Sequence, residues 1–243
     1  MTKAILITGG AARIGAYLSK GLAADGYQVA IHYNSSKKTP QNLVQDIQSE
    51  GRKAVCVQAD LTNASDVETL ISRAAKAIGC PLTALINNAS TYAPDKADKF
   101  SASDFDNHMD VNLKAPIVLA KTFTAALPEH ESGTIINMID QRVLRPRPDF
   151  FTYSLSKAAL LTATKTMAQS FAPRVRVCGI GPGPTIQSVH QSDEEFNAEV
   201  QNTLLGNGSP PETILHAARY LLSAKAVTGQ MIAVDGGQHL GFR

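Results

Sequence analysis

Short apolar runs alternate with stretches of helical periodicity along the whole chain, and this alternation restricts the fold more than any other feature. Ala4–Ile7, Tyr27–Tyr33, Ala54–Val57, Ala84–Ile86, Thr134–Met138, Val175–Cys178 and Met231–Val234 read as strands. Unbroken apolar runs of this length suit strands covered on both faces, as in a parallel sheet. Between them, Arg13–Ala24 repeats Ile14, Leu18 and Leu22 at helical spacing. Asn42–Ser49, Ser65–Ala77, Ser101–Met109, Leu113–Leu127, Tyr153–Phe171 and Glu212–Leu222 also read as helices, and Pro182 to Pro211 as loop. Strand–helix–strand units connect right-handedly and build a doubly wound α/β sheet. Residues 1–243 are expected to form one domain, with seven parallel strands at its centre.

Ligands of such sheets bind beyond the carboxyl ends of the strands. Gly9, His32, Asp60, Asn88, Asp140 and Gly181 all fall there, which points to a single site. Thr8–Gly15 lies between the first strand and the first helix. Its glycines permit a tight turn, and the helix start offers N–H groups to a pyrophosphate. The middle glycine of the usual pattern is Arg13, which can add a charge-assisted contact to a phosphate or other anion. After the second strand an acid would suit a ribose 2′-hydroxyl and repel a 2′-phosphate. His32, Tyr33, Asn34, Ser35, Ser36, Lys37 and Lys38 include no acid and several donors, so NADP(H) is expected rather than NAD.

Composition narrows the partners. A net charge of +2 with scattered Lys and Arg gives no reason to expect nucleic acid. The one dense basic stretch, Arg142 to Arg147, is short and broken by prolines. Cys56, Cys80 and Cys178 lack metal-ligand spacing and read as core side chains, so no metal is expected. No run approaches the roughly 20 apolar residues that span a bilayer. A cytoplasmic protein acting on a small molecule is expected.

Tyr153 and Lys157 are four residues apart, so a helix places them on one face. A lysine ammonium beside a phenol favours the phenolate, which suits general acid/base work. Alone, the pair is no more than a common feature of amphipathic helices. Its company changes that. Thr8–Gly15, Asn87-Asn88-Ala89, Tyr153-x-x-x-Lys157, Gly181-Pro182-Gly183 and the closing Val234-Asp235-Gly236-Gly237 occur in order. With them the whole chain resembles the short-chain dehydrogenase/reductase family and its Rossmann-type sandwich. The resemblance implies cofactor contacts from Gly9, Arg13, Ile14 and Gly15, from His32 through Ser36, and from Ser90. Asp60 and Leu61 would line the adenine, Asn88 and Ala89 the ribose side, and Pro182 and Gly183 the nicotinamide. Tyr153 would be the acid/base, Lys157 would lower its pKa and hold the nicotinamide ribose, and Asn112 would be the proton-relay asparagine. A homotetramer paired through the helices of Leu113–Leu127 and Tyr153–Phe171 is also implied, and Arg243 could reach a neighbouring site.

One departure is informative. Most of the family carries a serine thirteen residues before the tyrosine; this chain carries Asp140. A carboxylate accepts hydrogen bonds and repels a developing alkoxide. A protonated or proton-relaying Asp would instead suit reduction of a C=N bond, whose nitrogen gains a proton. Pteridine reductases within the family resemble this chain at Arg13, at His32-Tyr33, at Ser90 and in an aromatic at Tyr92. That branch implies a pterin held by Arg13, Ser90, Tyr92, Asp140 and Tyr153, under a lid formed by residues 185–209. Tyr92 in place of phenylalanine, Ser35 in place of arginine and Pro184-Thr185 after Gly183 are departures from that branch. A generic NADP(H) carbonyl or alcohol oxidoreductase, and an NADPH-binding protein without turnover, stay open as alternatives.

Overall fold

The computed structural model of the chain describes residues 3–35 and 38–241. Seven strands form one all-parallel sheet: β1 (Ala4–Ile7), β2 (Gln28–Tyr33), β3 (Ala54–Gln58), β4 (Ala84–Asn87), β5 (Gly133–Met138), β6 (Val175–Pro182) and β7 (Met231–Val234). Their order is β3-β2-β1-β4-β5-β6-β7, so the winding reverses between β1 and β4. At that reversal the connections leave in opposite directions and open a crevice at the carboxyl ends.

The helices are α1 (Arg13–Ala24), α2 (Lys38–Ser49), α3 (Ala64–Ile78), α4 (Ala102–Met109), α5 (Ala115–Ala126), α6 (Phe151–Phe171), α7 (Asp193–Gln201) and α8 (Pro211–Ser223). Successive strand side chains point to opposite faces, and β1 divides accordingly. Ala4 and Leu6 join Leu70, Leu119, Phe123 and Met167 on the face covered by α3, α5 and α6. Ile5 and Ile7 join Leu18, Leu22, Ile47, Ile214 and Leu221 beneath α1, α2 and α8. Among the described residues no helix is long and apolar enough to cross a membrane.

Three local features depart from the expected elements. The stretches expected as separate helices at Ser101–Met109 and Leu113–Leu127 are joined by a widened π-turn, Asp110–Lys114, which carries Asn112 into the interior. Strand β6 continues past Cys178, where the sequence reading ends it, through Gly179 and Gly181 to Pro182. A Cβ on Gly179 would lie 2.5 Å from Ile139, so the glycine serves close packing inside a strand. The segment expected as loop between Pro182 and Pro211 contains α7, which starts in a capping box between Ser192 and Glu195. None of its residues is buried, so it shows no apolar periodicity.

Phe123 is fully buried against Gly133 and the α3/α5 core. Phe123→Ala should lower unfolding free energy by about 3–5 kcal/mol through lost burial and the cavity left behind. Denaturant unfolding measures this, and a loss under about 1 kcal/mol would show that the core closes over the gap.

Candidate active site

The site begins with the turn after β1. Gly9 has φ 59, in the region open to glycine, and a Cβ there would approach the Ala89 backbone to 3.0 Å. A Cβ on Gly15 would fall 2.1 Å from the Gly9 carbonyl. Asn88 holds this turn from β4: its Nδ2 donates to Thr8 O (2.9 Å) and Gly9 O (3.2 Å). In return Thr8 Oγ1 accepts from the backbone N–H groups of Asn88 (2.9 Å) and Ala89 (3.0 Å). Helix α1 then starts without a capping side chain and with no acid in its first turn. Its free N–H groups and positive dipole end suit a pyrophosphate.

His32 supports the turn from below. Its Nδ1 accepts from Gly9 N–H (3.0 Å), and Nε2, then the protonated nitrogen, donates to Ala59 O (3.1 Å). Burial pushes its pKa down to about 4. A neutral, fully engaged imidazole is a strut for the glycine turn, where the sequence suggested a donor for a phosphate. Asn34 lines the cavity, whereas Tyr33 and Ser35 do not; Ser36 and Arg243 lie outside the described residues. Asp60, with Leu61, borders the opposite rim. The hydroxyl and N–H of Thr62 hold the Asp60 carboxyl below its usual range.

These residues open into a cavity of about 640 Å³ that also receives Ile14, Ala89, Ser90, Tyr92, Asp140, Tyr153, Lys157, Pro182 and Gly183. Asn112 stands behind its wall. Its Oδ1 accepts from Ser90 Oγ (3.0 Å) and Thr91 N–H (2.9 Å), while Nδ2 donates to Thr91 O (3.0 Å) and Ser156 Oγ (3.1 Å). Asn112 therefore ties the loop after β4 to α6.

At the centre, Tyr153 Oη donates to Asp140 Oδ2 at 2.7 Å, and Arg142 N–H donates to Asp140 Oδ1 at 2.8 Å. Burial pushes the Asp140 carboxyl above its usual range, against the opposing pull of these two donors. Burial also raises the Tyr153 phenol well above its ordinary pKa, and the neighbouring carboxylate adds to the effect. Lys157 Nζ donates to Met138 O at 2.8 Å. Burial lowers its pKa to about 8. The Tyr–Lys spacing suggested a phenol biased toward phenolate. The opposite holds here, because a half-buried carboxylate receives the phenol's hydrogen while the ammonium faces a backbone carbonyl. Tyr153 is thus a protonated donor with a carboxyl behind it.

Three side chains behave in ways the sequence did not announce. Arg13 takes a left-handed backbone (φ 51) and donates through Nη1 to Gln187 O and Nη2 to Ile186 O, both at 2.9 Å. It holds the start of the 185–209 segment, several residues of which line the cavity, although sequence points it toward a ligand. Tyr92 stacks on Phe150 with ring centres 4.1 Å apart and meets Tyr153 edge-on at 4.8 Å. One of its faces is therefore already covered. Arg142, noted in sequence only as part of a basic stretch, is buried beside Asp140, pairs with Asp149 at 3.2 Å and lies over Phe150. Its place two residues after Asp140 was a signal that could have been followed.

Known proteins share this fold. The family model described as short chain dehydrogenase matches residues 3–198. A 3-oxoacyl-[acyl-carrier-protein] reductase FabG of Staphylococcus aureus is 29% identical over 245 residues, 99% of each chain. FolM alternative dihydrofolate reductase 1 from Brucella canis, solved with NADP, is 42% identical with a TM-score of 0.96, over 99% of this chain and 95% of that one. A short chain dehydrogenase from Burkholderia cenocepacia, also solved with NADP, is 30% identical with a TM-score of 0.90, over 97% of each.

The strut role of His32 is open to measurement. Its folded pKa lies below the unfolded value, so the unfolded chain binds the proton more readily as pH falls. The stability that His32 contributes is complete above about pH 6.5 and drains away towards pH 4, by about 3 kcal/mol in all. Urea unfolding of the wild type and His32→Gln at pH 7 and pH 4 should show the wild type losing about that much more than the variant. Parallel losses would remove His32 from that role.

Proposed function

The chain belongs to the short-chain dehydrogenase family, and we propose that it is an NADPH-dependent reductase of a C=N bond in a pteridine. The observation that carries this reading is the half-buried Asp140 carboxyl receiving the Tyr153 hydrogen bond, at the position where most of the family places a serine. Reducing C=N adds a hydride to carbon and a proton to nitrogen. NADPH, when bound, supplies the hydride. Tyr153, held protonated, delivers the proton through its Oη. Asp140, whose carboxyl is pushed up by desolvation, relays to the phenolate left behind a proton drawn from solvent. The Lys157 ammonium offsets the charge on that phenolate.

The glycine turn, the uncapped start of α1 and the absence of an acid after β2 support NADP(H) as the nucleotide. The NADP-bound state of FolM and of the Burkholderia protein supports it as well. Tyr92, with Phe150 behind it, offers a platform for a flat heterocycle, and Ser90 supplies a nearby hydroxyl. The 185–209 segment, clasped by Arg13, is assigned as the lid over residues of a single domain. The exposed Ile117 on α5 and Leu155 on α6 fit a buried face of a homotetramer in the cytoplasm. A second reading, carbonyl reduction, is favoured by the 29% identity to FabG.

NADPH oxidation with dihydrobiopterin, dihydromonapterin and dihydrofolate tests the proposal. At least one should be turned over, and Asp140→Ser should lower that rate by about 10²-fold while leaving NADPH affinity intact. Turnover of ketones but of no pteridine, undiminished in Asp140→Ser, would establish the second reading. NADPH binding without turnover of any substrate would leave a non-catalytic protein.

A further inference from the structure

Helix α6 carries Tyr153 in its first turn but does not cap itself. Its N-cap residue, Phe150, sits in a left-handed conformation (φ 56), makes no side-chain cap and is followed by no acid in the first turn. Unpaired N–H groups and an uncompensated dipole let such an end fray. The missing acceptor comes from 57 residues earlier in the chain. Asp95, in the loop between β4 and α4, accepts from Thr152 N–H through Oδ1 (3.2 Å) and Oδ2 (3.3 Å), and from the Thr152 hydroxyl. Thr152 occupies the second helical position, where a capping oxygen normally binds.

The hydroxyl of Thr152 has a second partner. It lies 2.7 Å from His108 Nδ1, at the end of α4. Its single hydrogen goes to Asp95, so His108 carries a proton on Nδ1 and donates it. Thr152 and His108 are 0% and 1% exposed, and the His108 ring stands edge-on to that of Tyr153. The loop of Asp95 also holds Tyr92, stacked on Phe150. It therefore grips the start of α6 at two points, Phe150 and Thr152, the second immediately before Tyr153.

We infer that Asp95 is a positioning residue: it caps the catalytic helix from outside and, through Thr152, fixes Tyr153 against Asp140. This does not depend on which substrate the site reduces. The clamp also makes the ordering of the loop and the placement of the phenol one event.

Amide hydrogen exchange across residues 150–156, read by mass spectrometry, tests the clamp without any substrate. Asp95→Ala should speed exchange there by about tenfold or more, with the later turns of α6 unchanged. With any substrate the wild type turns over, Asp95→Ala should lower kcat by about tenfold while NADPH affinity changes by less than about twofold. Asp95→Asn, which keeps an acceptor of similar capping strength, should restore both readings to within about threefold of wild type. If Asp95→Ala does not fold, Thr152→Val removes the bridging hydroxyl and should shift both readings in the same direction, with Thr152→Ser restoring them. Unchanged exchange at 150–156 in Asp95→Ala would overturn the inference. So would equal losses in Asp95→Ala and Asp95→Asn, spread over KM and melting temperature.

Discussion

Asn88 and Thr8 lock together the carboxyl ends of β1 and β4, the two strands between which the sheet reverses. Four short hydrogen bonds between these residues and Gly9 and Ala89 close what would otherwise be two loose loops. The arrangement depends on space as much as on hydrogen bonding. Side chains at Gly9 or Gly15 would strike Ala89, Asn88 or the Gly9 carbonyl. From this lock the glycine turn, the start of α1 and the loop that carries Ser90 and Tyr92 all take their positions. His32 completes it by holding Gly9 N–H from the side of β2.

The candidate centre follows a different logic, that of charge removed from water. A half-buried carboxyl, a buried phenol and a buried ammonium meet within one small region, and each ionised form is costly there. Burial pushes the first two groups toward their neutral forms and makes the lysine a weaker base. Tyr153 therefore keeps its proton and donates it to Asp140 in a 2.7 Å hydrogen bond.

Segments remote in sequence converge to hold that centre. Asn112 enters from a π-turn, Arg142 from the short helical turn after β5, and Asp95 from the loop before α4. A buried chain of polar groups, Asn87 to Asn137 to Thr164, pins β4, β5 and the middle of α6 at 2.8 Å per link. The helix is thereby anchored to the sheet at its centre and clamped to a loop at its start. Arg13 extends the same connectivity outward, tying the first turn of α1 to backbone carbonyls of the 185–209 segment.

Apolar alternation, glycines at the first turn and the spacing of Tyr153, Lys157 and Asp140 are local properties, and local properties are legible in a sequence. They determined the parallel sheet, the site at its carboxyl edge and the residues gathered there. Helix α7 buries nothing and so leaves no apolar period in the sequence, and the glycines of β6 interrupt its apolar run after Cys178. What only the tertiary structure decided are quantities that depend on surroundings. The pKa of Tyr153 rises because burial and a carboxylate outweigh a lysine one turn away, and helical spacing carries no information on desolvation. Arg13 binds carbonyls of the 185–209 segment, Tyr92 loses one face to Phe150 and Asp95 caps a helix 57 residues downstream, because each partner is set by the folded chain. Sequence determined which groups are present at the site; the fold decided which of them hold protons and which hold one another.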